Sequence, residues 1–119
     1  MKTILIIEKE TDFRALYMEG FKEDAYRIIL VKCDEEALKI VEENVPDLII
    51  SDYQTPPTTS YLTMLLKANQ ITSVPLIIHT SYTFDLMDFT LALYATKVEY
   101  LEKSSDLNRL KNKMREMLD

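Results

Sequence analysis

Four apolar runs of this 119-residue chain are followed at once by side chains able to do chemistry. Glu8, Lys9 and Glu10 follow Ile4 to Ile7; Asp52 stands beyond Leu48 to Ile50; Thr80 and Ser81 close the run Leu76 to Ile78; Lys103 lies beyond Glu99 to Leu101. A carboxylate with an acidic neighbour, a hydroxyl and an ammonium is the set that an aspartyl-phosphate site requires. The carboxylate attacks, the hydroxyl and ammonium bind phosphoryl oxygens, and the neighbouring acid helps hold a divalent cation that offsets charge in the transition state. Such a set works only if the fold gathers four distant segments.

Other chemistries are excluded by what the chain lacks. Its single glycine, Gly20, compares with about eight for an average composition of ~7%. A P-loop or dinucleotide fingerprint needs about two or three close glycines so that backbone N–H groups can approach phosphate, and none can be assembled here. One cysteine, Cys33, and one histidine, His79, rule out a disulfide framework and a Cys/His zinc site. Fourteen basic against twenty acidic residues give a net charge of −6, the wrong sign for contacting nucleic-acid or lipid phosphates. The opening MKTILIIEKE is too short in its apolar run for a signal-peptide core or a membrane span. A cytoplasmic chain with no direct nucleic-acid contact and no membrane insertion is expected.

The elements follow from hydrophobic spacing. Ile4 to Ile7, Ile28 to Val31, Leu48 to Ile50 and Leu76 to Ile78 are β-branched and non-alternating, as in strands buried on both faces of a parallel sheet; Glu99 to Leu101 is the fifth strand. Phe13, Leu16, Tyr17 and Phe21 form a helix stripe starting near a Thr11 or Asp12 cap. A second helix runs from an Asp34 cap through Ala37, Leu38 and Val41 and ends before Pro46. Third and fourth helices are expected over about 59–69 and 84–94. The last begins around Ser105 and aligns Leu107, Leu110, Met114 and Met117. Five alternating strand–helix units predict one α/β domain over 1–119, a flavodoxin-like doubly wound (βα)5 three-layer sandwich with sheet order 2-1-3-4-5. Ligands of such sheets sit beyond the carboxyl ends of the strands, where the candidate residues fall.

On the segments ILIIEKE, VPDLIISDYQTPP, VPLIIHTS and ALYATKVEYLEKS, the chain resembles the receiver domain of bacterial response regulators over essentially its whole length. The resemblance implies that Asp52 is the phosphoacceptor, with Thr80 and Lys103 as its hydroxyl and lysine partners and Tyr100 as the aromatic switch residue beside Thr80. It implies a Mg²⁺ ion held by Glu8, Asp52 and the backbone carbonyl of Gln54. It implies a sensor histidine kinase or phosphotransfer protein as phosphoryl donor, and at most slow self-phosphorylation and dephosphorylation rather than enzymatic turnover.

The departures from the family pattern touch the machinery. Lys9 stands where receivers carry a second, metal-binding acid; Ser60 and Thr96 replace glycines, and Ser104 replaces a proline. Three carboxylates and a lysine would carry −2, whereas Glu8, Asp52, Lys9 and Lys103 sum to zero. At ~4 Å and an effective dielectric of ~20 each such charge pair is worth about 4 kcal/mol, so weakly bound Mg²⁺ is expected, with Lys9 paired to Asp52 as a metal mimic. The alternative is a phosphorylation-independent pseudo-receiver acting as an interaction module. A flavin-binding relative is disfavoured because Glu8, Lys9 and Glu10 occupy the place of its phosphate loop. Glu10 reads as a solvated loop acid, His79 as a packing residue or surface tip, and Cys33 as inert. The segment 84–94 has more apolar residues than one buried stripe needs, so the face of the fourth helix, fifth strand and fifth helix is expected to meet a downstream protein or a second copy.

Overall fold

A computed structural model describes residues 1–52, 74–81 and 97–118. Five strands, β1 (Lys2–Ile7), β2 (Tyr26–Val31), β3 (Leu48–Ser51), β4 (Leu76–Thr80) and β5 (Val98–Glu102), form one sheet in the order β2-β1-β3-β4-β5. Every neighbouring pair is parallel. Three helices are described, α1 (Thr11–Gly20), α2 (Asp34–Glu43) and α3 (Asn108–Leu118). The expected helices at 59–69 and 84–94, with Gln54, Ser60 and Thr96, lie outside the described residues.

The sheet buries both faces, and strand alternation divides the core in two. Leu5, Ile7, Ile49, Leu76 and Ile78 pack with Ala37 and Val41 of α2. Ile4, Ile6, Leu48, Ile50, Ile77 and Leu101 pack with Tyr17 and Phe21 of the α1 region and with Leu107, Leu110, Met114 and Met117. The starts of β1 and β3 are pinned by Thr3 N–H donating to Asp47 Oδ2 (2.7 Å) and Asp47 N–H donating to the Thr3 carbonyl (2.9 Å).

Helix starts differ from expectation by one to three residues, each for a local reason. The α1 cap is Glu10, whose carbonyl accepts the Arg14 N–H, rather than Thr11 or Asp12. The α2 cap is Cys33, whose extended backbone lets its carbonyl take the Ala37 N–H. Asp34 therefore falls in the first turn, where burial pushes its carboxyl up to about 6. The last helix starts at Asn108 rather than near Ser105. Ser104 Oγ accepts the Asp106 N–H and Asp106 Oδ1 accepts the Asn108 N–H, so side-chain turns occupy the preceding residues. Gly20 closes α1 against this segment: a Cβ there would stand 2.5 Å from Leu107 Cδ1. The Gly20 carbonyl accepts from Lys111 Nζ at 2.6 Å, and the same ammonium pairs with Asp24.

One polar pair lies inside the second half of the core. Tyr17, 1% exposed, and His79, 2% exposed, share a hydrogen bond of 2.6 Å between the Tyr17 hydroxyl and His79 Nδ1. Burial, aided by the Lys103 charge, lowers the His79 pKa from 6.5 to about 4. The unfolded chain gains a proton on His79 below about 6.5 while the folded chain does not until about 4. Stability is therefore lost as pH falls through that window, by about 3 kcal/mol in all. Asp34, its pKa raised, slopes the opposite way, so the comparison must be with a variant. The unfolding free energy of wild type minus that of His79→Leu, from urea denaturation, is expected to shrink by about 2 to 3 kcal/mol between pH 7 and pH 4.5; a pH-independent difference contradicts the assignment. Ile50→Ala, within the core of β3, is expected to cost about 2 to 5 kcal/mol, against less than about 0.5 for Val45→Ala at the surface.

Candidate functional site

The alternation that builds the core also aims the site. Strand hydrogen bonding runs on past the ends of β1 and β5, with Glu8 N–H donating to the Val31 carbonyl (3.0 Å) and Lys103 N–H to the Thr80 carbonyl (2.7 Å). Glu8 thus continues the row Ile4, Ile6; Asp52 continues Leu48, Ile50; His79 follows Ile77; Lys103 follows Leu101. Period-two geometry carries all four to the α1 and α3 side of the sheet. Thr80, fully buried, continues the opposite row of Leu76 and Ile78, and Tyr100, half-buried, packs on that same face.

Lys103 is the centre of the arrangement. Its side chain is 1% exposed, and Nζ lies 2.7 Å from Asp52 Oδ2, 2.8 Å from Glu8 Oε1 and 3.5 Å from Glu10 Oε2. Burial alone would lower its pKa, but the hydrogen bonds to Asp52 and Glu8 outweigh that and raise it, so the ammonium stays charged at neutral pH. Glu8, 2% exposed, is raised by burial, against the lowering effects of Lys103 and of the Glu10 N–H that donates to Glu8 Oε2 at 3.1 Å. Arg14 of α1 donates to the Glu8 carbonyl at 2.9 Å and ties the helix to the end of β1.

Glu10 was not evident as a site residue. The structure sets carboxylate oxygens of Glu8, Glu10 and Asp52 within 4.8 Å of one another. The signal was the Glu8–Glu10 spacing of two, which in extended backbone returns a side chain to the same side. The ammonium set against Asp52 is that of Lys103, where the sequence suggested Lys9. Lys9, between the two glutamates, is exposed and lines a separate cavity of about 120 Å³ with Lys32, Asp34 and Asp52. The charge count changes accordingly: three carboxylates against the one buried ammonium leave −2. An all-oxygen donor set of this charge suits a hard divalent cation such as Mg²⁺. The Gln54 carbonyl lies outside the described residues; Thr80 is the last residue of β4, and Tyr100 lies in the middle of β5.

An aromatic group beside Lys103 was not evident from the sequence. Lys103 Nζ stands 4.2 Å from the centroid of the Phe13 ring, and Phe13 in turn meets the rings of Tyr17 and His79. His79 also lines a polar cavity of about 330 Å³ with Lys103, Ser104, Asp106 and Arg109. No described helix is long and apolar enough to cross a membrane.

Comparison with known proteins agrees with this geometry. A family model described as the response regulator receiver domain matches residues 4–115. The response regulator TrrA of Thermotoga maritima, solved in complex with Mg²⁺-BeF, is 29% identical with a TM-score of 0.80, covering 99% of this chain and 100% of that one. The structure of the histidine kinase ThkA in complex with TrrA also matches at 29% identity, with a TM-score of 0.81 and full coverage of both chains. The Vibrio cholerae chemotaxis protein CheY4, 18% identical with 99% of each chain covered, shares the fold at a TM-score of 0.85. A search of curated proteins finds no match. With parallel order β2-β1-β3-β4-β5 and an acid–lysine cluster at the strand ends, the chain belongs to the response regulator receiver domain family.

Proposed function

We propose that this chain is a phosphoacceptor module of a two-component relay, taking a phosphoryl group on Asp52 from a phosphohistidine of a sensor histidine kinase or phosphotransfer protein. The observation that carries the reading is the buried Lys103 ammonium held between Asp52 and Glu8. The Asp52 carboxylate oxygen forms the new O–P bond. The donor's P–N bond breaks, and its electron pair leaves on the imidazole nitrogen. Lys103 offsets the charge on the phosphoryl oxygens, and the Thr80 hydroxyl donates to one of them as that end of β4 rearranges. Tyr100 then reports the change on the β5 surface, toward a downstream protein or a second copy.

Glu8, Glu10 and Asp52, with the Gln54 carbonyl, would hold Mg²⁺, which when bound screens the acceptor from the incoming phosphoryl group. Glu10 takes the part of the acid that Lys9 displaces. Cation binding is weak because Lys103 already bridges the same oxygens and Glu10 is half exposed. The kinase-bound relative supports a kinase partner, and the lone Cys33 fits the reducing cytoplasm.

Acetyl phosphate or a kinase with Mg²⁺ is expected to add one phosphoryl group, read by intact mass, and Asp52→Ala is expected to abolish it. Glu10→Gln should raise the Mg²⁺ concentration for half-maximal phosphorylation about ten-fold, near 1.4 kcal/mol, while Lys9→Gln should lower it. A wild type that stays unmodified with every donor tested would overturn the acceptor reading in favour of a phosphorylation-independent interaction module. Equal Mg²⁺ dependence of Glu10→Gln and wild type would remove Glu10 from the cation site.

A further inference from the structure

Besides its carboxylates, the Lys103 ammonium meets an aromatic ring, which the acceptor reading does not require. The Phe13 ring presents its face to Nζ at 4.2 Å. That ring is itself fixed on two sides: Tyr17 packs on it at 5.8 Å and 56°, and His79 meets it nearly edge-on at 6.0 Å and 80°. Tyr17 and His79 are locked together by their 2.6 Å hydrogen bond, with both residues almost fully buried. Apolar side chains at 17 and 79 would fill the same volume without burying a hydroxyl and an imidazole, each of which is costly unless paired. His79 is held neutral by burial and by Lys103, so its hydrogen bond with the Tyr17 hydroxyl adds no second cation beside the ammonium.

We propose that Phe13 is a positioning residue for Lys103, its ring holding the ammonium beside Asp52, and that the Tyr17–His79 hydrogen bond fixes that ring. The proposal rests on the reading of Asp52 as the phosphoryl acceptor. As the O–P bond forms at Asp52 and the donor bond breaks, the ammonium must leave its bridge to Glu8 and follow the new phosphoryl oxygens. A ring face attracts a cation with little directional demand, so Lys103 can change partners without losing all compensation for its burial. A second carboxylate there would hold it back, and an aliphatic side chain would leave it unsupported.

The test uses Phe13→Leu, Phe13→Trp and Tyr17→Phe in the full chain, with two readouts. The first is phosphorylation by acetyl phosphate at saturating Mg²⁺, resolved into maximal rate and half-saturating donor concentration. The second is the NMR position of the Lys103 ε-methylene protons in the unphosphorylated protein, which a ring face at this distance moves upfield. Phe13→Leu is expected to lower the maximal rate about ten-fold at unchanged half-saturation and to move the methylene signal downfield. Phe13→Trp should restore both. Tyr17→Phe, which keeps the ring and removes the hydrogen bond, should lower the maximal rate about three-fold with a partial shift of the signal. An unchanged maximal rate in well-folded Phe13→Leu, or a wild-type methylene signal at its unfolded position, overturns the proposal. A wild type that accepts no phosphoryl group overturns the acceptor reading and with it the catalytic part of this one; the methylene shift still decides whether Phe13 holds Lys103.

Discussion

A cation with almost no access to water sets the terms for this end of the molecule. Moving an ammonium and its carboxylate partners out of water costs several kcal/mol per ion, and only close, hydrogen-bonded partners offset it. Lys103 has them in Asp52 and Glu8, and both ends of that arrangement depend on the sheet. β1, β3 and β5 must stop in register, because a slip of one residue in any strand would turn its charge to the other face and leave the rest uncompensated. The paired strand starts at Thr3 and Asp47 and the backbone bond from Lys103 to Thr80 hold that register at opposite ends of the sheet.

Strand order and strand positions were legible because buried parallel strands write themselves as uninterrupted apolar runs, and the elements at Ile4 to Ile7 and Leu76 to Ile78 fall within a residue or two of the runs that marked them. The apolar stripe of the last helix was equally plain, although the turn built by Ser104 and Asp106 delays its start. Helix caps were less legible because neither start uses the side-chain bond that marks a cap in a sequence. Glu10 and Cys33 begin their helices with no side-chain cap bond at all.

The candidate site was legible in its types and not in its partnerships. Asp52, Glu8 and Lys103 converge as expected from the strand ends. Which lysine meets Asp52 was decided by parity: Lys103 shares the row of Leu101, whereas Lys9, between Glu8 and Glu10, is exposed. The same parity returns Glu10 to the cluster. The aromatic support was hidden for another reason. Phe13 and Tyr17 read as ordinary members of a helix stripe, and only the three-dimensional meeting of that stripe with His79 gives them a second role.

The close approach at Gly20 has a mechanical consequence. With no Cβ at that position, Leu107 seats directly on the end of α1, and Lys111 reaches back from α3 to the Gly20 carbonyl and to Asp24. Those contacts hold the C-terminal end of α1 against the start of α3 on the second face of the sheet. The N-terminal end of the same helix carries Phe13 and Arg14, which meet Lys103 and the Glu8 backbone. Any side chain at position 20 would therefore have to displace Leu107 and lift the helix whose other end borders the charge cluster.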